Sequence, residues 1–286
     1  MKKQVLAAIL AGTIAFGALP MCAFADDKTI TVAASSTPHA EILEQAKPLL
    51  EKQGYDLEVT VFDDYIQPNN VVDSGEFDAN YFQHINYLNA FNEEHGTSLV
   101  DAGDIHYEPF GIYPGTKASI DAVEDGDVIA VPNDTTNEAR ALLLLQANGL
   151  ITLKDGAGIN ATKLDIEENP KNLDIEEFDA ELVSEHTKDA ALVVLNGNYA
   201  LQAGLNAGSD ALAVESADSD AIQQYVNIIA VKKGNENEPK IKALVDTLKG
   251  DDIKAFIEKT YKGAVVPYEG TVEGQTEADT EAETEA

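Results

Sequence analysis

The stretch KTITVAASSTPHAEILEQAKPLLEKQGYDLEVTVF, Lys28 to Phe62, decides the fold class. KTITVAA has the β-branched composition of a strand, and YDLEVTVF alternates apolar and polar positions with the period of a half-buried strand. Between them Ser36 or Thr37 caps a helix, Pro38 sits in its first turn where a missing N–H costs nothing, and Gly54 ends it. Pro48 is expected to kink that helix. A β-α-β order of this kind predicts two parallel strands joined by a crossover helix, hence an α/β fold.

The same grammar continues outward. ANYF (79–82) reads as a strand, 85–95 as a helix and SLVDAGDI (98–105) as a strand, before EPFGIYPG interrupts the pattern. DVIAVP (127–132) restarts it, with Thr135, Thr136 and Gly149 bounding the next helix. NLDIEEF (172–178), a helical 179–188, AALVVLN (190–196) and ALAVE (211–215) follow. YVNIIAVKK (225–233) is a strand, and 239–261 is helical. Two α/β units joined by short Pro/Gly segments place a cleft between them, as in a bilobal binding protein or a two-domain enzyme.

The ends differ in kind from this body. Residues 1–25 carry Lys2 and Lys3, an apolar run and then small residues, the pattern of an export signal. Ala23-Phe24-Ala25 fits a cleavage site, which would free the chain, whereas Leu19-Pro20-Met21-Cys22 approaches a lipoprotein box with Met21 where a small residue is usual. Cys22 is the only cysteine and so the candidate lipidation site; beyond it there is no thiol for a disulfide or a thiolate metal cluster. The closing 269–286 contains TVEGQTEADTEAETEA, six acids without a base, and reads as a disordered acidic tail.

A formal net charge of -32 argues against nucleic acid and anionic lipid as partners. A carboxylate-bearing ligand therefore needs a local positive site. NEARALLLL (137–145) holds the only arginine, Arg140, the other basic residues being 18 lysines. Thr135-x-x-Glu138 matches a capping box, which puts Arg140 near the positive end of a helix, where a cation calls for an anionic neighbour. Its planar fork suits a carboxylate better than lysine does. An internal ion pair and a bound ligand satisfy that need equally well.

DYIQPNN and FDANYFQHINYL supply aromatic and polar side chains at a strand-to-helix junction: Tyr65, Phe82, His84 and Tyr87. VVLNGNYA contributes Asn196 and Asn198, YVNII contributes Asn227, and amides offer the donor and acceptor that a zwitterion uses. Enzyme chemistry finds little here. The five histidines show no H-x-x-x-H spacing, G-x-S-x-G is absent, and neither a metal site nor a cofactor motif is expected.

DYIQPN, DANYFQHINYL, VPNDTTNEARALLLL, LNGNYALQAGL and YVNIIAV, in this order, resemble the NlpA family of lipoproteins, the substrate-binding subunits of methionine ABC importers. The resemblance spans about 30–267. It implies a two-lobed periplasmic-binding-protein fold of type II character with two interlobe crossovers, closing on methionine, and no enzyme activity. It implies that Arg140 holds the ligand carboxylate, Asn196 and Asn227 the amino-acid head group, and Tyr65, Phe82, His84 and Tyr87 the thioether. Asn86 stands where the family commonly has proline. Lobe one would comprise 28–111 plus 230–268 and lobe two 112–229, with hinges near 110–114 and 221–227. The implied partner is an importer permease, reached from the outer face of the membrane through a Cys22 anchor or after release. Another apolar amino acid, a short methionine peptide, or a surface-interaction role for the acidic tail are the alternatives.

Overall fold

The computed structural model describes residues 28–216 and 223–270. The expected export signal, Cys22, part of the second expected hinge and most of the acidic stretch at 269–286 lie outside them.

The opening stretch forms the expected β-α-β unit, although neither Ser36 nor Thr37 caps the helix, which begins only at Glu41. β1 (Thr29–Ala34) and β2 (Asp56–Val61) pair in parallel from Thr29↔Asp56 to Ala34↔Val61. One wide turn over Ser36–Ala40, in which Thr37 is extended, leads into α1 (Glu41–Gln53). Pro48 lies inside α1 without ending it; Gly54 does so, at φ 88, a left-handed conformation that glycine adopts without steric cost. The next elements are α2 (Gln67–Asp73), β3 (Ala79–Tyr81), α3 (Ile85–His95) and β4 (Leu99–Tyr107). QPNN opens α2, with Pro68 in its first turn.

The chain then crosses to a second sheet: β5 (Gly111–Pro114), β6 (Val128–Pro132), α4 (Thr135–Ala147), β9 (Asp174–Phe178), β10 (Leu192–Leu195), α5 (Gly197–Gln202) and β11 (Ala213–Val214). A small hairpin of β7 (Thr152–Leu153) and β8 (Ile166–Glu168) interrupts this series. The chain returns through β12 (Val226–Lys232), α6 (Pro239–Leu248), α7 (Asp251–Tyr261) and β13 (Val266–Pro267). The expected helix over 239–261 is thus two helices parted at Lys249–Gly250, and the helical reading of 179–188 shrinks to a 3-10 turn, Val183–Lys188.

Strand order is β13-β4-β12-β3-β1-β2 in the first sheet and β11-β5-β10-β6-β9 in the second. β12 runs antiparallel to both its neighbours, β3 and β4. Each sheet has its own apolar core, one around Ile30, Leu43, Tyr81 and Leu244, the other around Ile129, Leu142, Leu145 and Val194. Two sheets, two cores and two crossings make this a two-lobed periplasmic-binding fold of type II character. Gly111 already pairs with the second sheet and 226–229 with the first, so the strand ends stand one and four residues from the lobe limits expected from sequence.

Leu142 is fully buried in the second core. Leu142→Ala should destabilise that lobe by about 3 kcal/mol through lost burial plus a cavity, readable as a shift of the urea midpoint.

Candidate functional site

A small cavity lies between the sheets, and all seven side chains expected to bind ligand line it: Tyr65, Phe82, His84, Tyr87, Arg140, Asn196 and Asn227. Gln83, Glu108, Asn137, Gly197 and Asn198 complete the lining. Most of these side chains stand just past a strand's carboxyl end or on the helix that follows, where open α/β sheets bind ligands. Phe82 to His84 follow β3, Glu108 follows β4 and Asn196 follows β10, while Asn137 and Arg140 lie on α4 after β6.

The helix carrying Arg140 is capped one residue earlier than the sequence suggests. Asp134, not Thr135, accepts from the Asn137 N–H at 3.0 Å, and the Glu138 carboxylate accepts from the Lys163 N–H at 2.8 Å instead of closing a capping box. Asp134 is the better cap because its carboxylate also receives the Asn137 side-chain amide, at 3.0 and 2.9 Å. That anchors Asn137, whose Oδ1 then accepts from Asn196 Nδ2 at 2.9 Å.

His84 caps α3: its Nδ1 accepts from the Tyr87 N–H at 3.0 Å. The ring proton must therefore sit on Nε2, which donates to Asn137 Oδ1 at 3.1 Å and ties the two lobes together. Burial and then the Arg140 charge push His84 down to about 3. Asn86 leaves the helix start intact, although its buried Nδ2 has no hydrogen-bond partner.

Arg140 already has a carboxylate. Its Nε donates to Glu215 Oε2 at 2.9 Å, Nη2 bonds Glu215 Oε1 and donates to the Glu108 carbonyl at 3.0 Å, and its Nη1 makes no hydrogen bond among the described residues. The guanidinium lies 4.7 Å from the Phe110 ring and 4.0 Å from that of Tyr225. Burial opposes its charge, but Glu215 outweighs that and holds its pKa above the usual value. Of the two ways to satisfy this cation, the internal pair is present, with one prong left over.

Beside it stands a carboxylate of the opposite character. Glu108 accepts from His106 Nε2 at 2.8 Å, lies 3.4 Å from His39 Nε2 and receives the Asn198 N–H, and burial pushes its carboxyl above the ordinary range. His39 Nε2 also meets Asn227 Oδ1 at 2.9 Å, and the Tyr81 hydroxyl bonds His106 Nδ1. Burial lowers His39 to about 4 and His106 to about 3. The three side chains could offer metal-ligand atoms within 4.8 Å of one another, yet those atoms are engaged in this network.

Two buried polar atoms of the lining, Asn196 Oδ1 and Asn198 Nδ2, have no partner. One is an acceptor and the other a donor, the pair that a zwitterion satisfies. Tyr65, Phe82 and Tyr87 form an aromatic wall, with Tyr65 donating to Asn198 Oδ1 at 2.6 Å. Sequence reasoning missed Glu108, Asn137 and Gln83 and did not select Asn198. Glu108 sits in a segment read only as an interruption, and its signal was a carboxylate between buried-type residues in IHYEPF.

The family model described as NlpA lipoprotein matches residues 30–269. The chain belongs to the NlpA lipoprotein family. The methionine-binding lipoprotein MetQ of Bacillus subtilis is 44% identical over 274 residues, 93% of this chain and 99% of that one. Among solved structures, a protein described as a lipoprotein from Ruminococcus gnavus is 71% identical, with a TM-score of 0.84 over 85% of this chain and 100% of that one. A nutrient-binding protein from Burkholderia cenocepacia, bound to methionine, is 42% identical, with a TM-score of 0.80 over 84% of this chain and 100% of that one. The Bacillus and Burkholderia relatives are described as binding proteins, and none of the described helices here is long and apolar enough to cross a membrane.

With pKa values near 4, 3 and 3, His39, His84 and His106 should stay neutral down to about pH 5. Imidazole nitrogen shifts across a pH titration by NMR check this, the expected outcome being three rings that do not titrate between pH 7 and 5.

Proposed function

We propose that this NlpA-family chain is the extracytoplasmic receptor of a methionine ABC importer, binding free methionine between its lobes and passing it to the permease without chemical change. The observation that carries the reading is one pocket with two unlike ends. Arg140, Glu108 and the unpartnered amides of Asn196 and Asn198 stand in its polar part, and the rings of Tyr65, Phe82 and Tyr87 form its apolar wall.

In this reading the ligand carboxylate takes Arg140 Nη1 and Asn198 Nδ2, and the ammonium takes Glu108 and Asn196 Oδ1. Asn227 and His84 hold that framework, Asn227 by its bond to His39 and His84 by its bond to Asn137. The thioether lies on the aromatic wall, where a polarizable sulfur gains about 0.3–1.5 kcal/mol per ring contact. Lobe one is 28–111 plus 230–268 and lobe two 112–229, moved to the nearest strand ends, and closure follows from contacts that both lobes make to one ligand. The export signal at 1–25 delivers the chain to the outer face, held by Cys22 or released after Ala25.

Arg140→Lys or Arg140→Ala should weaken methionine binding at least tenfold by isothermal titration calorimetry, about 1.4 kcal/mol. Glu108→Gln should do the same, and N-acetylmethionine should bind more weakly than methionine by a similar factor, because the amide cannot give Glu108 a charge-assisted bond. Unchanged affinity in the arginine variants would refute the carboxylate assignment. Mass spectrometry of ligand released from the purified protein tests the identity directly, and an amino acid without sulfur would overturn it.

A further inference from the structure

We propose that the side-chain end of the pocket also accepts a sulfonium, a methionine whose sulfur carries a third carbon substituent and a full positive charge; this rests on the methionine reading above. The wall there is built for a cation without hydrogen-bond donors. Tyr65, Phe82 and Tyr87 stand with ring centroids 5.5, 5.6 and 6.0 Å apart and planes inclined by 41°, 66° and 79°, so they form a curved surface rather than a stack. Their hydroxyls point elsewhere in hydrogen-bonding terms: Tyr65 donates to Asn198 Oδ1 at 2.6 Å and Tyr87 to the Tyr65 carbonyl at 3.2 Å. What remains for a side chain is aromatic surface, whose negative quadrupole attracts alkylated cations.

The charge around that wall has the matching sign. Tyr87 also lines a surface groove between α3 and the start of α4, bordered by Glu94, Asp134 and Asp179 with His95 the one basic side chain. Burial and then Asp134, Glu94, Asp64 and Glu181 all push the Tyr87 hydroxyl upward, which reports negative potential at the ring. Arg140 lines the same pocket, and Glu215 pairs with its guanidinium and neutralises it. Lysine is the comparison: its ammonium brings three donors, whereas the two tyrosine hydroxyls of the wall are already engaged and the nearby carboxylates lie in the groove beyond Tyr87.

Titration calorimetry of the full chain with S-methyl-L-methionine, alongside methionine and lysine, tests the proposal. The sulfonium is expected to bind within tenfold of methionine, and lysine more than a hundredfold more weakly. The double variant Glu94→Gln, Asp179→Asn should weaken the sulfonium about threefold, a small factor because both acids are exposed and screened, while leaving methionine unchanged. Methionine binding with the sulfonium more than tenfold weaker overturns this proposal alone, as does an equal loss of both ligands in the double variant. Failure of both methionine and the sulfonium to bind overturns the methionine reading as well.

Discussion

The buried pair of Arg140 and Glu215 is the interaction on which the joint between the lobes depends. Arg140 comes from α4 of the second lobe, Glu215 from the segment that returns the chain to the first, and the Glu108 carbonyl from the segment that left it. Tyr107 on β4 donates to the same Glu215 carboxylate, and the Phe110 N–H donates to it at 3.0 Å. One carboxylate and one guanidinium thus collect both crossings, a strand of the first lobe and a helix of the second. Breaking such a pair leaves an uncompensated buried charge, at a cost of about 3–5 kcal/mol. Arg140 also lines the pocket, so the joint and the pocket share this side chain.

That pairing changes what the arginine can contribute to a ligand. Its position near a helix start in a chain of net charge -32 calls for an anion, and the internal carboxylate answers most of that call. In the proposed mode a ligand carboxylate would meet one prong of a neutralised fork, so its recognition would be directional before it is coulombic. A neutral zwitterion suits such a site better than a free anion would. Its ammonium would give Glu108 the cation that the neutral histidines beside it do not, and its carboxylate would complete the fork.

The fold was legible where local patterns carry it. The β-α-β opening, the helix at 85–95 and the strands either side of Arg140 follow from period, capping and glycine placement, and the elements stand within a few residues of those readings. Capping at α4 was misread because Asp134 and Thr135 are both good caps; the choice turned on a side-chain bond to Asn137 that the spacing does not reveal. The polar floor was illegible for another reason. His39, His106 and Glu108 meet across 69 residues of chain, and Arg140 and Glu215 across 75, so only the packed sheets bring them together. The aromatic and amide residues that were chosen lie in short motifs at strand ends, where local order and site position coincide.

Closure also has a cost that the ligand need not carry alone. His84 to Asn137, Tyr65 to Asn198 and the Tyr199 hydroxyl to the Asp63 carbonyl at 2.8 Å are hydrogen bonds between the lobes themselves. Each contributes only about 0.5–1.5 kcal/mol net, because opening returns both partners to water. Together they lower the free-energy gap that a ligand must close, without removing the need for contacts made in the closed state alone. The orphaned Asn196 Oδ1 and Asn198 Nδ2 supply that remainder: buried by closure and unmatched by protein, they penalise closing on nothing. On the proposed function, selectivity for a two-ended polar ligand would therefore arise from the same atoms that keep the closed arrangement from being self-sufficient.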